Sequence, residues 1–182
     1  MQLVGLLKLY AFKQTHADSR GPLDAWQTEV EAASWGGPQE IKDRYPSASF
    51  LADNRVIFNI KGNTYRLVVK ARYQNGIVLI EWIGTHAEYD KQAGFQRAAQ
   101  EIRQEERCIT MKQQIRVIKT QRDYDAAIGR LSALMDKELA SGSNAEAELE
   151  LLALVIESYE RSKIAPVSPD PIEATWRHSD EP

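Results

Sequence analysis

The strongest constraint on the fold of this chain is a change of period at Arg55. From there apolar side chains recur at every second residue, as Val56, Phe58 and Ile60, then Tyr65, Leu67 and Val69, and a third, largely apolar run follows over 77–83. The runs are separated by Gly62-Asn63 and Asn75-Gly76, two pairs suited to tight turns. Turns this short join only antiparallel neighbours, so the segment predicts an antiparallel meander. Successive side chains on a strand point to opposite faces. Arg66 and Lys70 therefore share one face, and Tyr65, Leu67 and Val69 share the other. One face is basic and the other is core.

Before the meander the period is helical. Leu6, Leu9, Tyr10 and Lys13 fit one helix, and a second starting at Gly21-Pro22 places Leu23, Trp26, Gln27 and Val30 on one side. Gly36-Gly37-Pro38 interrupts, and a short turn over Ile41–Tyr45 ends at Pro46. After it, residues 93–110 read as a solvated linker, with Ala98, Ala99 and Ile102 among Gln, Arg and Glu. A second unit begins at Met111. Ile115, Val117 and Ile118 are strand-like, and Asp123 is placed to cap a helix in which Tyr124, Ile128, Leu131 and Met135 share a face. Ser141-Gly142-Ser143 makes a turn, and a helix over about 145–161 carries Leu149, Leu152, Val155, Ile156 and Tyr159. Pro166, Pro169 and Pro171 then predict an extended tail.

The expected class is α+β. A small antiparallel sheet packed by N-terminal helices spans residues 1–92, a linker 93–110, and a mostly helical unit 111–182. Two helices cannot bury both of their apolar stripes on each other, so the hairpin is expected to dock on the first domain or on a neighbouring copy.

Composition narrows the function classes. Of 182 residues 43% are apolar and 27% charged, and no apolar run approaches the ~18 residues a membrane helix needs. The apolar start Met1–Leu9 is broken by Lys8 and is followed by no small-residue cleavage site, so a cytoplasmic protein is expected. Cys108 is the single cysteine, which excludes an internal disulfide and a Cys-rich metal site and reads as an inert thiol. No metal and no cofactor is expected. The net charge of −3 is unevenly divided: residues 1–92 carry 11 basic and 10 acidic side chains, whereas 111–182 carry 9 and 13. Arg55, Lys61, Arg66, Lys70 and Arg72 occupy one stretch with no acid before Glu81. Two readings stay open for it, a solvated sheet face or a surface for a polyanion.

The candidate site gathers Arg55, Lys61, Arg66, His86 and Tyr89, from the sheet and from the segment Gly84-Thr85-His86-Ala87-Glu88-Tyr89-Asp90 just past its last strand. A histidine beside fixed cations suits phosphodiester cleavage, because the imidazole moves a proton near neutral pH while the cations hold phosphate and transition-state charge. RNA carries its own nucleophile in the 2′-OH, so the missing Ser, Cys and metal motifs do not exclude an enzyme. Spacing alone also leaves His86 open as a surface residue.

The phrase Arg55-Val-Ile-Phe-Asn-Ile-Lys-Gly-Asn-Thr-Tyr-Arg-Leu-Val-Val69, followed by Gly84-Thr-His-Ala-Glu-Tyr-Asp-Lys91, resembles the HigB-type toxins of bacterial toxin-antitoxin modules, within the RelE-like superfamily. Phe12, His16, Gly21-Pro22-Leu23, Trp26, Trp35, Ile41-Lys42, Tyr45 and Ser47-Ala48-Ser49-Phe50 extend the match to about half the chain. The resemblance implies a metal-independent endoribonuclease that cleaves messenger RNA, commonly on the ribosome, with 2′-OH attack giving a cyclic phosphate. By position it implies Lys61 and Arg66 for phosphate and transition-state charge, with His86 and Tyr89 for acid, base or stacking, the last two roles being exchangeable. Arg55, Lys70 and Arg72 are expected to contact RNA backbone, and His16 and His178 to be bystanders.

Such toxins end soon after the Asp90-Lys91 equivalent. The further stretch from Met111 to Ala174 is similar to the N-terminal part of HigA-type antitoxins, without the helix-turn-helix that normally follows. The expected partners are thus messenger RNA and either a HigA-type antitoxin or the chain's own C-terminal segment, with no membrane; a homo-oligomer stays open. Two functional readings follow, a toxin restrained by a fused antitoxin fragment or a catalytically silent fusion acting as a binding or regulatory protein.

Overall fold

The structure is a computed structural model that describes residues 1–91 and 117–164. Strand β1 (Gln2–Val4) leads into α1 (Leu6–Thr15), a 3-10 turn (Ala17–Ser19), α2 (Arg20–Ala32) and α3 (Pro38–Arg44). Strands β2 (Ser49–Leu51), β3 (Arg55–Ile60), β4 (Tyr65–Arg72) and β5 (Ile77–Thr85) follow, and β5 runs directly into a helix, α4, described over 86–91. Two further helices are α5 (Gln121–Met135) and α6 (Asn144–Lys163). The α+β class expected from the period change is the class observed.

The sheet has five strands in the order β1-β5-β4-β3-β2. Its centre is the predicted antiparallel meander, with Arg66 opposite Asn59 on one side and Gly84 on the other. Two edge strands escape the sequence pattern because each has only three residues. β2 pairs with β3 through a turn whose Asp53 and Asn54 both have positive φ, and β1 runs parallel to β5. At Gly5 the chain turns from β1 into α1 with φ of 91°, and a Cβ there would stand 2.7 Å from the carbonyl oxygen of Ile80. Only glycine permits that approach.

An irregularity between β4 and β5 sets which residues share a face. Val68 pairs with Trp82 and Val69 with Ile80, leaving Glu81 as the extra residue. The extra residue resets the alternation, so Ile77 and Leu79 lie on the same face as Trp82 and Gly84. That face also carries Arg66, Val68, Lys70 and Arg72.

The opposite face is covered by α1, α2 and α3, which bring Leu9, Leu23, Trp26, Val30 and Ile41 onto Phe58, Leu67 and Ile80. The face of the arginines is not simply solvated. At its Lys70–Arg72 end, Val4, Ile77 and Leu79 meet Tyr124, Leu131, Leu134, Leu149, Leu152 and Ile156 of α5 and α6 in a second core. The described chain is therefore three layers, helices on both sides of one sheet.

Polar contacts fix the hairpin on the sheet. Lys70, 1% exposed, donates to the Asp136 carboxylate and, at 3.4 Å, to the Ser132 carbonyl. Arg72 donates to the carbonyls of Leu134, Met135 and Lys137 at 3.0–3.5 Å, a cation set against the C-terminal end of α5. Asn75 bonds Glu146 and Glu150, and Gln2 bonds Glu157. The Glu160 carboxyl is buried, accepts from the Tyr124 hydroxyl at 2.6 Å, and faces the first amides of α1.

Local details differ from the sequence expectation in two places. Thr120, not Asp123, caps α5: its hydroxyl accepts from the Asp123 amide while the Asp123 carboxylate accepts from the Thr120 amide, a reciprocal box. The strand expected around Val117 and Ile118 is absent among the described residues, where Val117 is exposed and Ile118 turns into the second core. The linker 93–110, Ile115 and the proline-rich tail lie outside the described residues.

Candidate functional site

The start of α4 is locked by local chemistry. The Glu88 carboxylate accepts from the amide and hydroxyl of Thr85, both at 2.8 Å, and the Glu88 amide donates to the Thr85 hydroxyl at 3.3 Å. This capping box fixes the first turn of α4 to the end of β5, and with it the side chains of His86, Tyr89 and Asp90. The same bonds, the backbone amide ahead of the side chain, hold the Glu88 carboxyl below its ordinary range.

Arg66, near the start of β4, projects into that turn. One guanidinium nitrogen lies 2.9 Å from His86 Nε2, another 3.3 Å from Asp90 Oδ1, and the guanidinium carbon stands 4.7 Å from the centre of the Tyr89 ring. His86 Nε2 is also 3.4 Å from Asp90 Oδ2. Arginine only donates, so the contact with Arg66 requires a lone pair on Nε2 and the ring proton on Nδ1. The contact with Asp90 requires a proton on Nε2. The two partners therefore favour opposite states of one nitrogen, an arrangement suited to a group that accepts and returns a proton. The buried Nε of Arg66 has no hydrogen-bond partner among the described residues.

Lys61 sits at the same end of the sheet but in a second cluster. Its backbone has φ of 51° in the turn between β3 and β4, and its ammonium lies 2.6 Å from Asp18. The Tyr65 hydroxyl donates to both Asp18 oxygens at 3.0 Å. Hydrogen bonding to Asp18 raises the Lys61 ammonium, the bonds from Lys61 and then Tyr65 lower the Asp18 carboxyl, and burial followed by Asp18 raises the Tyr65 phenol. His16 stacks on Phe12 at 4.0 Å and meets the Tyr65 ring edge-on. Tyr65 faces away from Arg66 along the strand, so the clusters lie on opposite sides of the sheet end. A bond from the His86 amide to the Thr64 carbonyl joins them.

The structure thus brings Arg66, His86 and Tyr89 into contact and keeps Lys61 with Asp18. The other three basic residues are elsewhere. Arg55 is in register with Lys70, four residues along the strand from Asn59 and hence roughly 13 Å from the Arg66 position. Arg55 grips Glu81 through two bonds of 2.7 and 3.3 Å and also reaches Asp53. Those bonds to Glu81 hold its guanidinium above its ordinary range. Lys70 and Arg72 are under the hairpin, so two of the three cations that β4 presents on the basic face are covered.

Asp18, Glu81 and Asp90 went unnoticed as partners in the sequence. For Asp90 a signal existed, because Thr85 and Glu88 have capping-box spacing and Asp90 stands four residues after His86 on the helix so started. For Asp18 and Glu81 none existed, since both pairs form only through the tertiary fold.

The fold and site together define the class, a small mixed sheet with helices on its faces and a cationic, histidine-bearing rim. Within it, residues 19–92 match the family model HigB_toxin, described as the RelE-like toxic component of a toxin-antitoxin system. That segment runs from the start of α2 through the capping box and includes Lys61, Arg66, His86 and Tyr89, while α1, α5 and α6 lie outside it. Comparison with curated proteins finds no match to the chain. Among the described residues no helix is long and apolar enough to cross a membrane.

Proposed function

We propose that the chain is the toxin of a toxin-antitoxin pair, a metal-independent endoribonuclease acting on messenger RNA at the ribosome, restrained by its own C-terminal hairpin. The carrying observation is the contact of Arg66 with His86, Tyr89 and Asp90 inside the segment that matches the toxin family. In the reaction the 2′-oxygen attacks the adjacent phosphorus and the bond to the 5′-oxygen breaks, leaving a cyclic phosphate and a free 5′-hydroxyl. His86 Nε2, with its lone pair, takes the 2′-OH proton. Arg66 stabilises charge on the phosphate oxygens. Tyr89 stacks or carries the second proton, and its role and that of His86 are exchangeable. Lys61 adds charge when phosphate replaces Asp18 as its partner. The restraint acts through charge: Lys70 and Arg72, two of the five cations of the Arg55–Arg72 stretch, are occupied by Asp136 and by the end of α5 and so are withheld from RNA. A HigA-type antitoxin is the expected partner in trans, and α5 and α6 are proposed to descend from one.

A second reading, a catalytically silent fusion that only binds, is favoured by one observation. Every cation of the Arg55–Arg72 stretch already has an intramolecular partner. Full-length protein incubated with translating ribosomes, intact and after proteolytic nicking within 93–110, separates the two. Cleaved messages mapping to the ribosome, and loss of at least about 100-fold in Arg66→Ala and His86→Ala, are expected for the enzyme. Intact messages with both protein forms would leave the silent fusion.

A further inference from the structure

We infer that Trp82 and Tyr89 form a built shelf for one nucleobase of single-stranded RNA, next to the phosphate held at Arg66. The inference rests on the ribonuclease reading and adds to it a binding subsite with Trp82 as its stacking residue. Three observations converge. First, the irregularity at Glu81 places Trp82 on the face of Arg66, where regular alternation from Leu79 would have turned it into the first core. Second, the indole lies across Gly84. A Cβ at that position would stand 2.4 and 2.6 Å from two atoms of the Trp82 ring, so only glycine leaves the ring its place. Gly84 is the register partner of Arg66, so the strand pair presents the indole and Arg66 on the same face of the sheet. Third, the ring centres of Trp82 and Tyr89 are 5.8 Å apart with planes inclined by 53°, and Arg66 lies against Tyr89. Rings so inclined do not cover each other's faces as a stacked pair would.

Trp82 is only partly buried, in contrast to Trp26 and Trp35, which are 3% and 8% exposed within the first core. An indole kept at the rim beside a cation and a proton carrier has the makings of a stacking platform, because every base presents a π face and the neighbouring guanidinium meets its phosphate. The chemistry selects an unstacked, single-stranded base, since a base inside a duplex has both faces covered by its stacked neighbours, and it tolerates different bases. It thereby supplies the splayed geometry that 2′-OH attack needs, with the base on the shelf and its phosphate at Arg66.

The test uses the full chain with Trp82→Ala and Trp82→Phe, and short oligoribonucleotides, free and as the message on ribosomes, with either a normal or an abasic nucleotide 5′ to the cleavage position. Trp82→Ala should lose about 10- to 100-fold in binding and in kcat/KM on the normal oligonucleotide, and less than about 3-fold on the abasic one, with Trp82→Phe recovering most of the loss. Equal losses on both oligonucleotides, or no loss on either, would overturn the shelf. Binding is read separately by the fluorescence anisotropy of a dye-labelled oligonucleotide whose 2′-OH at the cleavage position is replaced by hydrogen. If the wild type bound the normal oligonucleotide preferentially yet cleaved it neither free nor on ribosomes, as intact or as nicked protein, the ribonuclease reading would fail and the shelf would stand.

Discussion

Cutting the chain after residue 92 is the obvious way to free a toxin domain, and the second core predicts that it will instead unfold one. Val4, Ile77 and Leu79 are each at most 1% exposed, and they are covered by α5 and α6. Returning a fully buried aliphatic side chain to water costs about 1.5–3 kcal/mol, so the three together lose roughly 5–9 kcal/mol, an upper estimate because unfolded chains also bury surface. Domains of this size have about 5–15 kcal/mol in total. Lys70 and Arg72 regain hydration on removal of the hairpin, which offsets part of the loss but leaves an apolar strip beside them. A fragment of residues 1–92 should therefore be aggregation-prone or lack a cooperative urea transition, followed by the fluorescence of Trp26 and Trp35. A separately prepared 111–182 peptide should restore the transition. A monomeric fragment unfolding cooperatively within about 2 kcal/mol of the full chain would refute the reasoning, and the hairpin would then be an accessory and not part of the core.

Further expectations follow from single side chains. Asp136→Ala leaves the buried Lys70 ammonium with a distant carbonyl alone and should cost about 3 kcal/mol in chemical denaturation, the low end for an orphaned buried charge because Asp136 itself keeps some solvent. Gly84→Ala should displace Trp82 and lower Tm by several degrees, with near-ultraviolet circular dichroism reporting the moved indole. Burial raises the Glu160 carboxyl above its ordinary 4.5, against the opposing pull of the Tyr124 hydroxyl and the amides of Leu7, Gly5 and Leu6, with the Lys8 ammonium nearby. The folded state then binds the proton more tightly than the unfolded state, so this group's contribution to stability falls as pH rises from about 4.5 through the raised value. Glu160→Gln keeps an acceptor for Tyr124 and should flatten the dependence of Tm on pH across that window. An unchanged slope would show that Glu160 does not carry it.

The sequence displays the meander and its turns plainly because period-two alternation with Gly62-Asn63 and Asn75-Gly76 has few other solutions. β1 and β2 are invisible there since three residues make no period, and β1 is defined by pairing with β5, more than seventy residues away. Arg66, His86 and Tyr89 were legible as a group because a strand start, its neighbour's end and the next helical turn must meet. The placement of Trp82 was not, because a single extra residue at Glu81 reverses the alternation and leaves no mark in composition.

The same alternation explains why the basic stretch misled. Period two assigns Arg66, Lys70 and Arg72 to one face but says nothing about what covers that face along its length. Val4, Ile77 and Leu79 contribute an apolar patch at one end, and an apolar patch on a sheet requires a second layer. Lysine and arginine fit beneath such a layer, their stems on the patch and their charges on Asp136 and on the carbonyls that α5 leaves unpaired at its end. Arg66 lies beyond the patch, where the neighbours are Gly84, His86 and Tyr89 and the available acid is the solvent-exposed Asp90. One strand therefore carries two kinds of cation. Charge reversal at Lys70 should act on stability, and charge removal at Arg66 on chemistry, a separation that denaturation and cleavage measured on the same two variants will resolve.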